Sequence, residues 1–279
     1  MSGLEKDKFT IACENAIASN QLVICAVTSN TQASFESDGI PFGAGKSTLA
    51  LELSYRFNHF DPETRRYYDV GLDRNDERNW ETVKKHSYYY PSKLLKAVHK
   101  AEDEKVLIQC ALWDDVQYTA PARAGTSPAL EELVGDLTTE RPTIRILILT
   151  CPNILGISSI VRSIVQFEII VYARGRFEVQ RVMYRKNFRN PRKDLMRLDY
   201  VSGEDPTEKE ETDFDALPSS MQTWYDNWRK DEKRPKRAKT IATLERYEKV
   251  VPQDPTLAPR SEAARELAFR RWGHREPQQ

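Results

Sequence analysis

Apolar residues fall into short runs separated by polar stretches, and their spacing switches repeatedly between helical and strand-like. The stripe Phe9, Ala12, Cys13, Ala16 and Ile17, with Ile11 beside it, predicts a helix over Glu5 to Asn20. Leu22 to Val27 is a continuous β-branched run, the pattern of a strand buried on both faces. A polar stretch, Thr28 to Asp38, leads into a glycine-rich segment, and Ser47 to Phe57 then has the apolar content of a helix. Pro62 to Lys85 is polar and predicts irregular structure. A helix over Lys93 to Glu102 precedes the apolar strand Val106 to Trp113, and a helix over Pro128 to Leu137 precedes the strand Thr143 to Thr150. Ser158 to Val165 predicts one more helix. Phe167 to Ala173 and Phe177 to Tyr184 alternate about Arg174-Gly175-Arg176, which predicts a hairpin.

Strands that alternate with helices need crossover connections, so the expected class is α/β with a largely parallel sheet flanked by helices. Residues 1–201 carry this pattern. Beyond Ser202 the pattern ends. Gly203 to Asp215 is acidic, Trp224-Tyr225-Asp226-Asn227-Trp228 is aromatic, and Arg229 to Lys239 is rich in basic residues. Prolines 252, 255 and 259 follow, and Glu262 to Trp272 has the spacing of a short amphipathic helix. The expectation for 202–279 is a polar tail, partly helical or disordered, outside the core and suited to docking a protein partner.

Composition adds mainly exclusions. With 279 residues, 39% hydrophobic and 30% charged, the chain is long enough for a sizeable core and has much charged surface. Lysine plus arginine equals aspartate plus glutamate at 42 each, so net charge makes no case for nucleic acid. Cys13, Cys25, Cys110 and Cys151 form no CxxC pair, and the last three lie in apolar runs. They read as buried thiols in a reducing compartment, not as a zinc set. No run of apolar residues is long enough to span a bilayer, and the polar start Met1 to Lys8 is unlike a secretory signal. The cytoplasm is the expected location.

The chemistry concentrates at Gly43-Ala44-Gly45-Lys46-Ser47-Thr48. Glycines let backbone N–H groups approach an anion, and a helix starting there turns its positive end toward phosphates. Lys46 is placed to reach the phosphates and the Ser47 hydroxyl to hold Mg²⁺. The segment resembles the Walker A motif of P-loop nucleotidases. It departs from GxxxxGK[ST] in having Ile40 at the first glycine position, with Gly39 one residue early. The strand Val106 to Trp113 ends in Asp114-Asp115, as a Walker B strand ends in acids. Asp114 fits the magnesium carboxylate. Asp115 takes the position of a water-orienting acid, one methylene shorter than glutamate. The next strand runs into Thr150, Cys151, Pro152 and Asn153.

Together these motifs, spread over Leu22 to Tyr184, resemble the additional-strand P-loop ATPases of the AAA+/RecA/HerA group. The resemblance implies that the strand ending at Thr150 lies between the phosphate-loop strand and the Walker B strand. It also implies that Thr150 or Asn153 acts as a polar sensor near the γ-phosphate. A homo-oligomer using an arginine finger is implied too, with Arg162, Arg174 and Arg176 as candidates. The expected function is an ATP-binding, ATP-hydrolysing motor or switch acting on DNA. Arg174 and Arg176 at the hairpin turn, with Arg181 and Arg185 along its second strand, are candidates for backbone phosphate contact. A P-loop kinase with an arginine-bearing lid is the alternative enzyme, and a nucleotide-gated binding module is the alternative of another class. A GTPase is disfavoured because the guanine signature NKxD is absent.

Overall fold

The computed structural model describes residues 8–29, 45–68, 72–122, 128–138, 143–173, 175–185, 195–200 and 212–233. In chain order they form α1 (Lys8–Ser19), β1 (Val23–Ser29), α2 (Lys46–Asn58), β2 (Phe60–Asp61), β3 (Arg66–Tyr67), α3 (Glu81–Lys85) and β4 (Ser87–Tyr88). There follow α4 (Pro91–Asp103), β5 (Ile108–Trp113), α5 (Val116–Thr119), α6 (Pro128–Leu137), β6 (Ile144–Thr150) and α7 (Ser159–Arg162). The last are β7 (Phe167–Ala173), β8 (Arg176–Arg185), β9 (Leu195–Tyr200), β10 (Thr212–Asp213) and α8 (219–233).

The main sheet has the order β10-β8-β7-β1-β6-β5-β4, with β9 also on β8. The run β7-β1-β6-β5-β4 is parallel. β8 returns antiparallel from β7, and β9 and β10 are antiparallel to β8. The class is therefore α/β with a largely parallel sheet. β1 and β6 are the central strands and are buried along almost their whole length, which explains why their sequences are continuous apolar runs rather than alternating ones. β6 separates β1 from β5.

The sheet has two packed faces. On one, Ile24, Ala26, Ala111, Trp113, Leu147 and Leu149 meet Leu94 and Val98 of α4, Leu133 and Leu137 of α6 and Val161 of α7. On the other, Phe9 of α1 packs edge-on against Phe57 of α2 and Phe167 of β7. Asn58, at the end of α2, donates to the Cys110 carbonyl (3.2 Å) and accepts from the Cys110 amide (3.2 Å), pinning α2 to β5. The four cysteines are buried with free thiols. Burial pushes Cys110 and Cys151 up to about 12 and raises Cys25 well above its ordinary value, so these thiols stay protonated and serve as packing groups.

Pro62 to Lys85 differs from the irregular polar segment expected. It holds the turn and second strand of the β2–β3 hairpin, a 3-10 turn over Glu77–Trp80 and α3. Trp80 anchors it. The ring is fully buried against Tyr55 (centroids 4.3 Å apart), and its indole N–H donates to the Arg74 carbonyl (2.9 Å). A large apolar ring and the buried Val83 anchor a segment that is mostly polar, and the average polarity of the segment hides this.

At His86, between α3 and β4, burial, assisted by the neighbouring Lys85 charge, pulls the imidazole down to about 4. The folded value lies below the ordinary one of 6.5, so the unfolded chain binds the proton first as pH falls. The stability held in a neutral His86 is predicted to be complete above pH 6.5 and to drain away toward pH 4. Urea midpoints taken at the two ends of this window should show the loss, and His86→Gln should flatten it.

Residues 1–226 form one compact unit and 227–279 a second, whose described residues, 227–233, are helical. The expected boundary at residue 202 thus falls inside the first unit. Met221 and Tyr225 are buried, against the expectation that the chain beyond 202 stays outside the core. No helix among the described residues is long and apolar enough to cross a membrane.

Candidate phosphate site

The C-terminal ends of the parallel strands bring the chemistry-bearing residues together. In open α/β sheets this edge is where crevices form for ligands. Gly45 caps α2 in the left-handed region (φ 91°, ψ 14°), and its carbonyl accepts the first helical bond, from the Leu49 amide (2.8 Å). Glycine takes that conformation without strain, so the turn into α2 leaves the N-terminal amides of a 13-residue helix at the strand ends. Lys46 and Ser47 occupy the first turn. The Lys46 ammonium donates to Ser29 Oγ at the end of β1 (3.3 Å). Gly43 and Ala44 lie outside the described residues, as do the preceding 30–42. Thr48 is part of α2.

Ser47 Oγ donates to Asp114 Oδ1 (3.3 Å), joining the start of α2 to the end of β5. Asp114 is fully buried. Its Oδ1 also accepts from Thr150 Oγ1 (2.5 Å) at the end of β6, and its Oδ2 accepts from Tyr225 Oη (2.8 Å) in α8. A carboxylate has capacity for several such donors, and each one fixes its plane further. Thr150 also ties in the next residue, since its Oγ1 accepts from the Asp115 amide (2.8 Å).

Asp115 stands in the left-handed region at φ 53° and ψ 44°, buried and leading into α5. That conformation is unfavourable for a residue with a Cβ, though aspartate tolerates it better than most. Held strain at a strand end beside a buried acid is a recurrent mark of a functional position. Tyr89 sits close by. Burial first, and then the charges of Asp115 and Asp114 among others, raise its hydroxyl to about 12, so it stays protonated at neutral pH.

The remaining predicted residues separate. Asn153 uses its Oδ1 locally, accepting from the Leu155 amide (2.7 Å) to cap the 3-10 turn Ile154–Gly156. Arg162 ends α7, with a long contact (3.5 Å) to the Leu155 carbonyl. Arg176 and Arg181 are exposed on β8, and Arg174 lies outside the described residues.

Three participants carried no recognisable signal in the sequence. Ser29 ends β1 but stands far from the motif it serves. Glu168 on β7 is a buried carboxylate that accepts from Thr28 Oγ1 (2.8 Å). Burial raises its pKa and the Thr28 bond opposes the rise. Tyr225 is separated from Asp114 by 111 positions. The aromatic patch flagged in the tail was the nearest clue to it.

The donors suit magnesium. Asp114 and Ser47 present hard oxygen ligands at a helix N-terminus, and among the described residues no cluster of three His, Cys, Asp or Glu forms a closed protein cage. A cation held by these two oxygens would take its other ligands from phosphate and water, as magnesium does in nucleotide sites.

No family model matches the chain, and no curated protein matches it. Among solved structures, the N-terminal domain of zonular occludens toxin from Neisseria meningitidis matches at 15% identity and a TM-score of 0.35, covering 70% of this chain and 94% of that one. The genome packaging NTPase B204 from Sulfolobus turreted icosahedral virus 2, in complex with ATP-gammaS, matches at 10% identity and a TM-score of 0.33, covering 66% of this chain and 98% of that one. At these TM-scores neither structure adds to what the strand order and the side-chain geometry show by themselves.

Proposed function

We propose that this chain is a P-loop nucleoside triphosphatase. Within that class we assign it to the additional-strand ATPases, acting on DNA as an oligomer. The meeting of Ser47 and Asp114 carries the reading. A hydroxyl from the first turn of a glycine-capped helix lies 3.3 Å from a buried strand-end carboxylate, and β6 is inserted between the two strands that supply the site.

In this reading the first-turn amides of α2 and the Lys46 ammonium bind the phosphates of ATP. Ser47 and Asp114 hold Mg²⁺, which when bound offsets phosphate charge and orients the transferring group. Thr150 keeps both Asp114 and the Asp115 backbone in place, and Asp115 orients the attacking water. Arg162 and Arg176 are the described candidates for reaching a neighbouring subunit's phosphates. The exposed arginines of β8 favour DNA phosphates as the contacted surface, and the segment beyond residue 227 offers a site for a protein partner.

The test is ATP turnover by the purified chain, alone and with single- or double-stranded DNA, beside Lys46→Ala. Turnover should rise with DNA and drop in the variant by about a hundredfold or more. Intact ATP binding with no turnover under any condition would rule out a motor. Transfer of phosphate to a small acceptor, indifferent to DNA, would make the protein a kinase.

A further inference from the structure

The segment 212–226 is built onto the phosphate site, although it lies beyond every motif that defines that site. β10 pairs with β8, with Thr212 opposite Phe177 and Asp213 opposite Arg176. The Phe214 amide donates to the Gly175 carbonyl (2.8 Å), and its ring packs near Phe177 (centroids 6.1 Å apart). The same ring lies over the α2 cap, where a Cβ placed on Gly45 would meet its edge at 2.9 Å. Asp215 pairs with Arg74 (3.1 Å), and Arg74 also pairs with Glu52 of α2. Met221 and Tyr225 are buried as α8 begins, and the Tyr225 hydroxyl ends at Asp114 Oδ2 (2.8 Å).

A tyrosine that served only to pack would be expected to turn its hydroxyl toward water or a backbone carbonyl. This one donates to the fully buried carboxylate that also accepts from Ser47. Ser47 and Thr150 meet Oδ1, and Tyr225 meets the opposite oxygen. The carboxylate plane is therefore held from both edges, one donor set coming from the motifs and the other from the C-terminal segment.

We propose that Tyr225 is a positioning residue of the phosphate site: its hydroxyl orients Asp114 for the divalent cation, so the segment 212–226 is part of the nucleotide-binding machinery. The inference rests on the reading of Asp114 as a metal carboxylate. A hydroxyl that holds the carboxylate in the orientation the metal needs favours the metal, and by linkage bound metal in turn holds the carboxylate against Tyr225.

The experiment uses the full chain and a fluorescent ATP analogue titrated against Mg²⁺, with Tyr225→Phe beside the wild type. The variant keeps the ring and loses only the hydroxyl. The Mg²⁺ concentration giving half-maximal binding should rise by about tenfold, while affinity for the analogue without metal stays within about twofold. Superposed Mg²⁺ curves overturn the inference. A second readout needs no variant: in the wild type, backbone amides of 219–226 should exchange hydrogen more slowly with metal and analogue bound than with analogue alone. Equal exchange in the two conditions also overturns it. If the wild type binds no analogue in Mg²⁺, or binds it as well after Lys46→Ala, the reading of the whole site fails and this inference falls with it. That outcome is distinct from a site that binds normally and ignores Tyr225.

Discussion

Asp114→Asn is expected to lower ATP turnover by about two orders of magnitude or more while leaving a folded chain. The amide matches the carboxylate in size but carries no charge and offers one acceptor oxygen instead of two. Its oxygen can still accept from Ser47 and Thr150, which meet the same carboxylate atom. Its amide group then faces the Tyr225 hydroxyl, which can turn and accept. The cost to folding should therefore be limited to about 1–3 kcal/mol, the difference between charged and neutral hydrogen bonds at a buried position. Chemistry has no such compensation, because a neutral amide is a poor ligand for a hard divalent cation. Steady-state turnover against Mg²⁺ concentration, with a urea midpoint on the same preparation, checks both halves. Turnover within a few-fold of wild type would remove Asp114 from the metal site.

Asp115→Asn is expected to retain nucleotide binding and to lose turnover by about 10²–10⁴, the range for removing a group that positions or accepts the water proton. The substitution is informative because asparagine also tolerates the left-handed backbone seen at φ 53°, so the strand end keeps its course and only the charge goes. Asp115→Gly separates the two contributions. Glycine relieves the backbone, which should raise stability by up to about 1 kcal/mol, and turnover should still be lost. A chain stabilised by glycine but catalytically inert would show that the strain is kept for the sake of the side chain. Full turnover in Asp115→Asn would mean that another carboxylate orients the water, and Glu168, buried beside Thr28, would be the next to test.

The motifs around Lys46 and Asp114 were legible because each is local: a glycine turn before a helix, and acids after an apolar run. The buried strands were legible for a related reason. β1, β5 and β6 are covered on both faces, and burial of that kind writes a continuous apolar run into the sequence. The two-residue strands β2, β3 and β4 left no such mark. β4 forms where β5 pairs with it and β2 and β3 pair with each other, and two residues carry no periodicity. Asn153 shows the opposite case. Its position after β6 fitted a sensor, yet local geometry turned its oxygen onto the Leu155 amide.

By itself the sequence determined the α/β class and the central strands, and it marked Lys46 and Ser47 as candidates for a phosphate loop, because those features are set by neighbours a few positions apart. Only the tertiary structure decided what converges on Asp114. Ser47, Thr150 and Tyr225 come from three separate elements, at separations of 67, 36 and 111 positions. Hydrogen bonds over such distances in the chain leave no periodic trace, since they depend on where sheet order and helix packing bring the ends of elements. The burial of Met221 and Tyr225 was hidden for the same reason. A short segment with few apolar residues reads as a solvated tail until the Phe214 ring is seen over the α2 cap and the Tyr225 hydroxyl at Asp114.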